Sequence, residues 1–96
     1  MNPGKVSRNQ LTTLTDLPNI GPASAGDLRL LGIEKPADLI GKDAFSLYRR
    51  LCDLTGSRQD PCVLDVLISV TAFMAGDNAK PWWAFTAERK QRYPDI

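Results

Sequence analysis

The sequence contains no histidine, the side chain most often used for general acid–base catalysis near neutral pH. A serine or cysteine nucleophile would therefore lack its commonest activating partner. The phosphate-cradling patterns GxxxxGK[ST] and GxGxxG are absent as well. We expect a protein that is not an enzyme, with no cofactor and no small-molecule substrate.

Long apolar segments are also missing. No stretch approaches the roughly 20 apolar residues that a membrane-spanning helix needs. The first ten residues, MNPGKVSRNQ, are polar and lack the apolar centre of a secretory signal. The sequence therefore predicts a cytoplasmic protein without a membrane partner.

Cysteine is scarce: Cys52 and Cys62 lie ten positions apart. This is neither a CxxC pair nor a four-ligand set, and no histidine can complete a metal site. Both thiols are expected to be apolar core residues, and no metal site is predicted. A second interpretation stays open, in which the helix that begins after Asp60 lowers the pKa of Cys62.

Excess charge of either sign is absent too. Twelve Lys and Arg residues against eleven Asp and Glu residues give a net charge of +1, which is a weak electrostatic argument for nucleic-acid binding. Hydrophobic residues make up 43 % of the 96 residues, as expected of one globular domain. We predict a flexible N-terminal segment, residues 1–8, followed by a single domain over residues 9–93.

Helical spacing is what the sequence does contain, and no strand-like alternation accompanies it. The predicted fold is all-α with five to six short helices. Caps, prolines and glycines place a first helix carrying Leu11, Leu14 and Leu17, a second from about Pro22 to Leu31, a third between Asp43 and Gly56, a fourth from Pro61 to Ala75, and a last short helix over Ala87 to Arg92.

The fourth predicted helix is apolar on nearly all sides and should be the central one. One narrow strip along it carries small or polar residues: Asp65, Ser69, Ala72 and Gly76. Three environments stay open for this strip: solvent, a neighbouring helix, or a second copy of the chain. Solvent is the expected one.

A tight turn joins the first two predicted helices. Pro18 ends the first helix, Asn19 and Gly21 tolerate positive φ, and Pro22 suits the first turn of the second helix. A buried Ile20 would hold the turn against the core. The amides of Asn19, Ile20, Gly21, Ala23 and Ser24 would then face outward at a helix N-terminus, where anions bind.

These residues resemble a known motif. The pattern Leu-x-x-Leu-Pro-x-Ile-Gly-x-x-x-Ala-x-x-Leu, over residues 14–28, resembles the helix-hairpin-helix motif. From about Leu14 to Arg92 the chain is similar to the small bacterial family labelled pathogenicity-locus or mitomycin-resistance proteins, through PNIGPASA, LYRRLCDLTG, DPCVLDV and PWW. The hairpin is also similar to the C-terminal domain of TfoX-type competence regulators.

The resemblance implies sequence-independent binding of double-stranded DNA by the hairpin, and a monovalent cation held by hairpin carbonyls. It also implies a SAM-domain-like fold. Leu51-x-x-Leu54-Thr-Gly56 loosely repeats the first hairpin, which would make a pseudo-twofold double hairpin. DNA-binding members often have glycine at the position of Asn19 and a Lys or Arg near Ser24, and this chain lacks that cation.

Two functions follow as hypotheses. In the first, the amides from Asn19 to Ser24 bind the DNA backbone, assisted by Arg8, Arg29 or the basic C-terminal cluster. In the second, the chain is a protein-interaction adaptor and the hairpin is only structural. Its partner surface would be the Asp65 strip or the C-terminal group Lys80, Trp82, Trp83 and Arg89, with one indole covering the core and the other exposed.

Overall fold

The computed structural model describes residues 6–96, which contain four α-helices, four short 3₁₀ turns and no strand. The all-α prediction is confirmed. No helix in this range is long and apolar enough to cross a bilayer. The α-helices are α1 (Pro22–Leu30), α2 (Ala44–Thr55), α3 (Pro61–Met74) and α4 (Thr86–Arg92), and the 3₁₀ turns are Arg8–Gln10, Leu14–Asp16, Pro36–Leu39 and Trp82–Phe85.

The predicted first α-helix is wrong. Only the 3₁₀ turn Leu14–Asp16 forms there, although Leu14 and Leu17 are buried as expected. The Asp16 carboxylate accepts the backbone N–H groups of Thr13 at 2.8 Å and Thr12 at 2.9 Å, and these bonds lower the pKa of Asp16. Such local bonds compete with a helix, and Pro18 follows too soon for a longer one.

The other predicted helix bounds are confirmed to within about one residue. Asp43 accepts the Ser46 N–H at 2.9 Å and begins α2, which ends at Gly56 with φ of 65°. Asp60 accepts the Cys62 N–H at 3.0 Å and begins α3. Of the predicted flexible segment, residues 1–8, residues 1–5 lie outside the described part of the chain.

The central position of α3 is also confirmed. Leu64 and Val70 on this helix have no exposed surface, and the core around them takes apolar side chains from α1, α2 and the intervening turns. Leu17 and Ile20 anchor the segment before α1 in the same core. Burial of these large aliphatic side chains contributes about 1.5–3 kcal/mol each. The start of α1 is therefore fixed relative to α3.

Two residues of the polar strip on α3, Asp65 and Ser69, are buried, so the expected solvent exposure is wrong for them. Asp65 is 0 % exposed and Ser69 is 2 % exposed. One Asp65 oxygen accepts the Arg89 Nε–H at 2.9 Å and the other accepts the Thr86 hydroxyl at 2.8 Å. Because α4 supplies a cation and a donor, the carboxylate can be buried without remaining unpaired.

Removing one partner of this ion pair should be strongly destabilising. Arg89→Met leaves the Asp65 carboxylate buried without its cation, at an expected cost of about 3–5 kcal/mol in the free energy of unfolding. The double variant Asp65→Leu with Arg89→Met should recover much of that loss, since no charge stays buried. Urea denaturation of both proteins measures the difference. An Arg89→Met protein as stable as the unaltered chain would contradict this account.

Candidate anion-binding turn

The turn before α1 is built on Asn19, whose φ is 65°. Asparagine is one of the few residues that adopt this left-handed conformation readily. Gly21 has φ of −93° and ψ of −174°, an extended conformation open to any residue, so of the two residues that tolerate positive φ only Asn19 adopts it. The buried Ile20 between them holds the turn against the core, as the sequence predicts.

The Asn19 side chain points into the protein and joins three segments. Its Nδ2 group donates to Ser69 Oγ at 3.0 Å and to the Lys80 carbonyl at 2.8 Å, and its Oδ1 accepts the Trp82 N–H at 3.2 Å. Asn19 therefore fixes the turn to α3 and to the segment that leads into the Trp82–Phe85 turn. Its side chain has a positioning role that the sequence alone did not reveal.

The N-terminus of α1 receives no side-chain cap from the described residues. Gly21, Pro22 and Ala23 are exposed, and Ser24 is half-buried. Within residues 6–96, the backbone N–H groups of Ala23 and Ser24 have no acceptor, and neither does the Ser24 hydroxyl. These donors are the ones that a capping side chain would ordinarily bond.

The other long helices are closed to an anion at the same position. Asp43 caps α2 and Asp60 caps α3 with their own carboxylates. The bond from the Cys62 N–H lowers the pKa of Asp60, because it stabilises the ionised carboxylate. The second hairpin suggested by the sequence, between α2 and α3, thus ends at a blocked helix N-terminus. The pseudo-twofold relation itself stays a prediction.

Three cations predicted to assist the turn lie elsewhere. The Arg8 guanidinium donates to the Phe73 carbonyl at 2.7 Å and to the Asp77 carbonyl at 2.6 Å, so it caps the C-terminal end of α3. Arg29 lies in the last turn of α1, about 10 Å along the helix from its start. Arg89 is buried against Asp65, and its predicted place on a partner surface is wrong.

Lys80, Trp82 and Trp83 are brought beside the turn by Asn19. The Lys80 ammonium lies 3.6 Å from an Asp77 carboxylate oxygen, and both side chains are exposed to solvent. Trp83 is 62 % exposed and Trp82 is half-buried, with ring centroids 5.6 Å apart and planes at 85°. The aromatic residue of this turn that enters the core is Phe85, which takes the covering role expected of a tryptophan.

Neither cysteine has the environment of a reactive thiol. Burial raises the pKa of Cys62, and the neighbouring Asp60 raises it further, so the predicted acidification is wrong. Cys52 is half-buried, and its sulfur accepts the Gln59 N–H at 3.4 Å. Among residues 6–96, no group of three or more His, Cys, Asp or Glu side chains is placed to hold a metal ion.

Substitutions at Asn19 should separate its backbone role from its side-chain role. Asn19→Gly keeps the left-handed conformation without strain but loses the side-chain bonds, at an expected cost of about 1–3 kcal/mol. Asn19→Ala loses the same bonds and adds about 1–2 kcal/mol of backbone strain. Guanidinium denaturation measures both. Equal stability of the two variants would contradict the strain argument. If Asn19→Gly leaves the free energy of unfolding unchanged, the bonding argument is contradicted.

Comparison with known proteins places the chain in a family. A model of the family described as Pathogenicity locus (Cdd1) matches residues 7–91. The mitomycin resistance protein McrB of Streptomyces lavendulae is 40 % identical over 78 residues, which cover 81 % of this chain and 74 % of that protein. No solved structure matches. With nearly the whole described chain matched, the protein belongs to the Pathogenicity locus (Cdd1) family, as the sequence resemblance predicted.

Proposed function

We propose that this protein binds the phosphate backbone of DNA without reading base sequence, through the N-terminus of α1. One observation carries the proposal: two adjacent backbone donors, at Ala23 and Ser24, lie at an exposed helix start and have no acceptor in the described chain. The Ser24 hydroxyl can add a third donor to the same phosphate. Backbone amides and hydroxyl groups fix a protein on DNA but carry no sequence information.

Electrostatics support an anion at this position. The aligned peptide dipoles of α1 place about half a positive charge at its N-terminus. Lys80, in the segment that Asn19 holds to the turn, supplies a side-chain cation. Its exposed ion pair with Asp77 contributes about 0–1 kcal/mol, so the ammonium can exchange Asp77 for a phosphate at small cost. In this proposal, the Lys80 ammonium binds a phosphate in place of the Lys or Arg that is missing near Ser24.

A second candidate function is the protein-interaction adaptor. An apolar groove of about 130 Å³ opens beside the turn, between α1, α2 and α3. Its walls are mainly aliphatic, formed by Ile20, Leu28, Leu51, Val63, Val66 and Leu67. A partner's apolar side chain would suit such a groove better than a nucleotide would. Binding there should depend little on salt, which distinguishes the two functions.

The association constant for DNA should fall as the salt concentration rises. Lys80 and the half charge at the N-terminus of α1 together neutralise between one and two phosphates, which predicts a slope of about −1 to −2 for the logarithm of the association constant against the logarithm of salt concentration. Fluorescence anisotropy with a labelled blunt duplex, titrated at several salt concentrations below physiological, measures this slope. Two unrelated duplex sequences should give the same affinity. No binding at the lowest salt, with the protein folded, would refute the proposal and favour the adaptor.

Closing the helix start with a carboxylate should abolish binding while preserving the fold. Gly21 already has the extended backbone of an N-cap residue, and open space surrounds the position of an added Cβ. Gly21→Asp should therefore cap the free amides and raise the free energy of unfolding by a few tenths to about 1 kcal/mol. The same carboxylate would occupy the phosphate position and repel DNA.

Gly21→Ala is the matched control, because it changes the backbone in the same way but supplies neither a cap nor a charge. It should retain duplex affinity within about twofold of the unaltered chain. Thermal melting separates loss of binding from loss of fold. A Gly21→Asp protein that melts at or above the original temperature and still binds DNA would exclude the α1 N-terminus as the site.

A further inference from the structure

Trp83 is the most exposed of the large hydrophobic side chains in residues 6–96. Its exposed fraction of 62 % compares with 60 % for Ile40, 57 % for Leu30 and 53 % for Leu54, and it alone among these is aromatic. A flat aromatic ring in solvent offers a stacking surface for a nucleobase.

The Trp83 ring is held in place. The Trp83 ring makes an edge-on contact with the Trp82 ring, with centroids 5.6 Å apart, and the backbone N–H of Trp82 donates to Asn19 Oδ1 at 3.2 Å, which fixes the backbone of this turn. Phe85 anchors the other end of the same 3₁₀ turn in the core. A ligand that stacks on Trp83 therefore meets an ordered surface, and little side-chain entropy is lost on binding.

The position of Trp83 relative to the start of α1 makes its exposed ring relevant to DNA binding. Trp83 is the next residue after Trp82, whose backbone is bonded to Asn19. The free amides of Ala23 and Ser24 lie four and five residues after Asn19 in the chain. The Asn19 bonds therefore place the backbone next to Trp83 against the turn that leads into α1. Lys80 lies in the same segment and can contact the DNA backbone.

The chemistry of the two surfaces differs in what it requires of DNA. Backbone amides contact phosphates of paired and unpaired strands alike, whereas an indole needs an exposed base face, which a duplex offers only at its two ends and a single strand offers at each unstacked base. Resting on the proposed backbone binding, we infer that Trp83 stacks on an unpaired base, so that the preferred ligand is duplex DNA with a single-stranded overhang. Blunt duplex is then the weaker ligand.

Binding of two labelled ligands tests this inference. One is a blunt duplex and the other is the same duplex with a short thymidine overhang, measured by anisotropy at equal low salt. The unaltered chain should bind the overhang ligand about tenfold more tightly or better, as one stacked base predicts. Trp83→Ala should abolish that preference and leave blunt-duplex affinity unchanged. Trp83→Phe should keep part of the preference, because phenylalanine retains an aromatic face.

The control is Ile40→Ala, which truncates a side chain of similar exposure in the connector between α1 and α2. It should leave both affinities unchanged. Equal affinity of the unaltered chain for the two ligands, or an equal loss for both in Trp83→Ala, overturns the inference while backbone binding stands. Absence of blunt-duplex binding refutes the proposed function, and absence of binding to either ligand overturns both.

Quenching of intrinsic tryptophan fluorescence by a thymidine oligonucleotide gives a second measurement. In Trp83→Phe only Trp82 remains to fluoresce, so most of the quenching should disappear. Quenching that persists unchanged in this variant would place the base elsewhere and overturn the inference.

Discussion

The hydrogen bonds of one amide group, that of Asn19, determine where the candidate site lies relative to the rest of the chain. They join the turn before α1 to Ser69 on α3 and to Lys80 and Trp82 in the segment before α4. They hold the backbone of the segment that carries Trp83 against the turn that leads into α1. The left-handed backbone of Asn19 points its side chain inward while the next residues lead out to the helix start.

The second organising feature is which helix termini are capped by side chains. Aspartate side chains close α2 and α3, and Arg8 closes the C-terminal end of α3. Glycine stands at the corresponding position of α1, where its lack of a side chain leaves donors unbonded. An unbonded exposed amide is solvated at little cost, so the open end is compatible with a stable fold. The same openness is what gives the surface an affinity for anions.

Much of the fold was predictable because local signals and tertiary packing agree. The boundaries of α2 and α3 follow from Asp43, Gly56 and the Asp60–Pro61 pair, and the structure places each helix as predicted. The helix predicted for the segment with Leu11, Leu14 and Leu17 is wrong. The apolar spacing suggested a helix, but the Asp16 side chain accepts the backbone N–H groups of its own neighbours. Apolar periodicity identified the buried residues there but not the backbone conformation.

The site was less predictable, because its geometry depends on contacts between residues distant in sequence. Asn19 and Lys80 are 61 positions apart, and Asp65 and Arg89 are 24 apart. A helical wheel shows that Asp65 shares a strip with Ser69, but it cannot show that α4 covers Asp65 while Asn19 covers Ser69. The same limit applies to Arg8 and Arg89, which a count of positive charges treats as available although each is bonded within the protein.

The ion pair between Asp65 and Arg89 also bears on the order of events during synthesis. α4 has seven residues, too few to be stable alone, and it forms only when docked on α3. Until Arg89 has left the ribosome, the Asp65 carboxylate on α3 has no cation with which to be buried. The core around α3 therefore closes only after α4 has been synthesised and released.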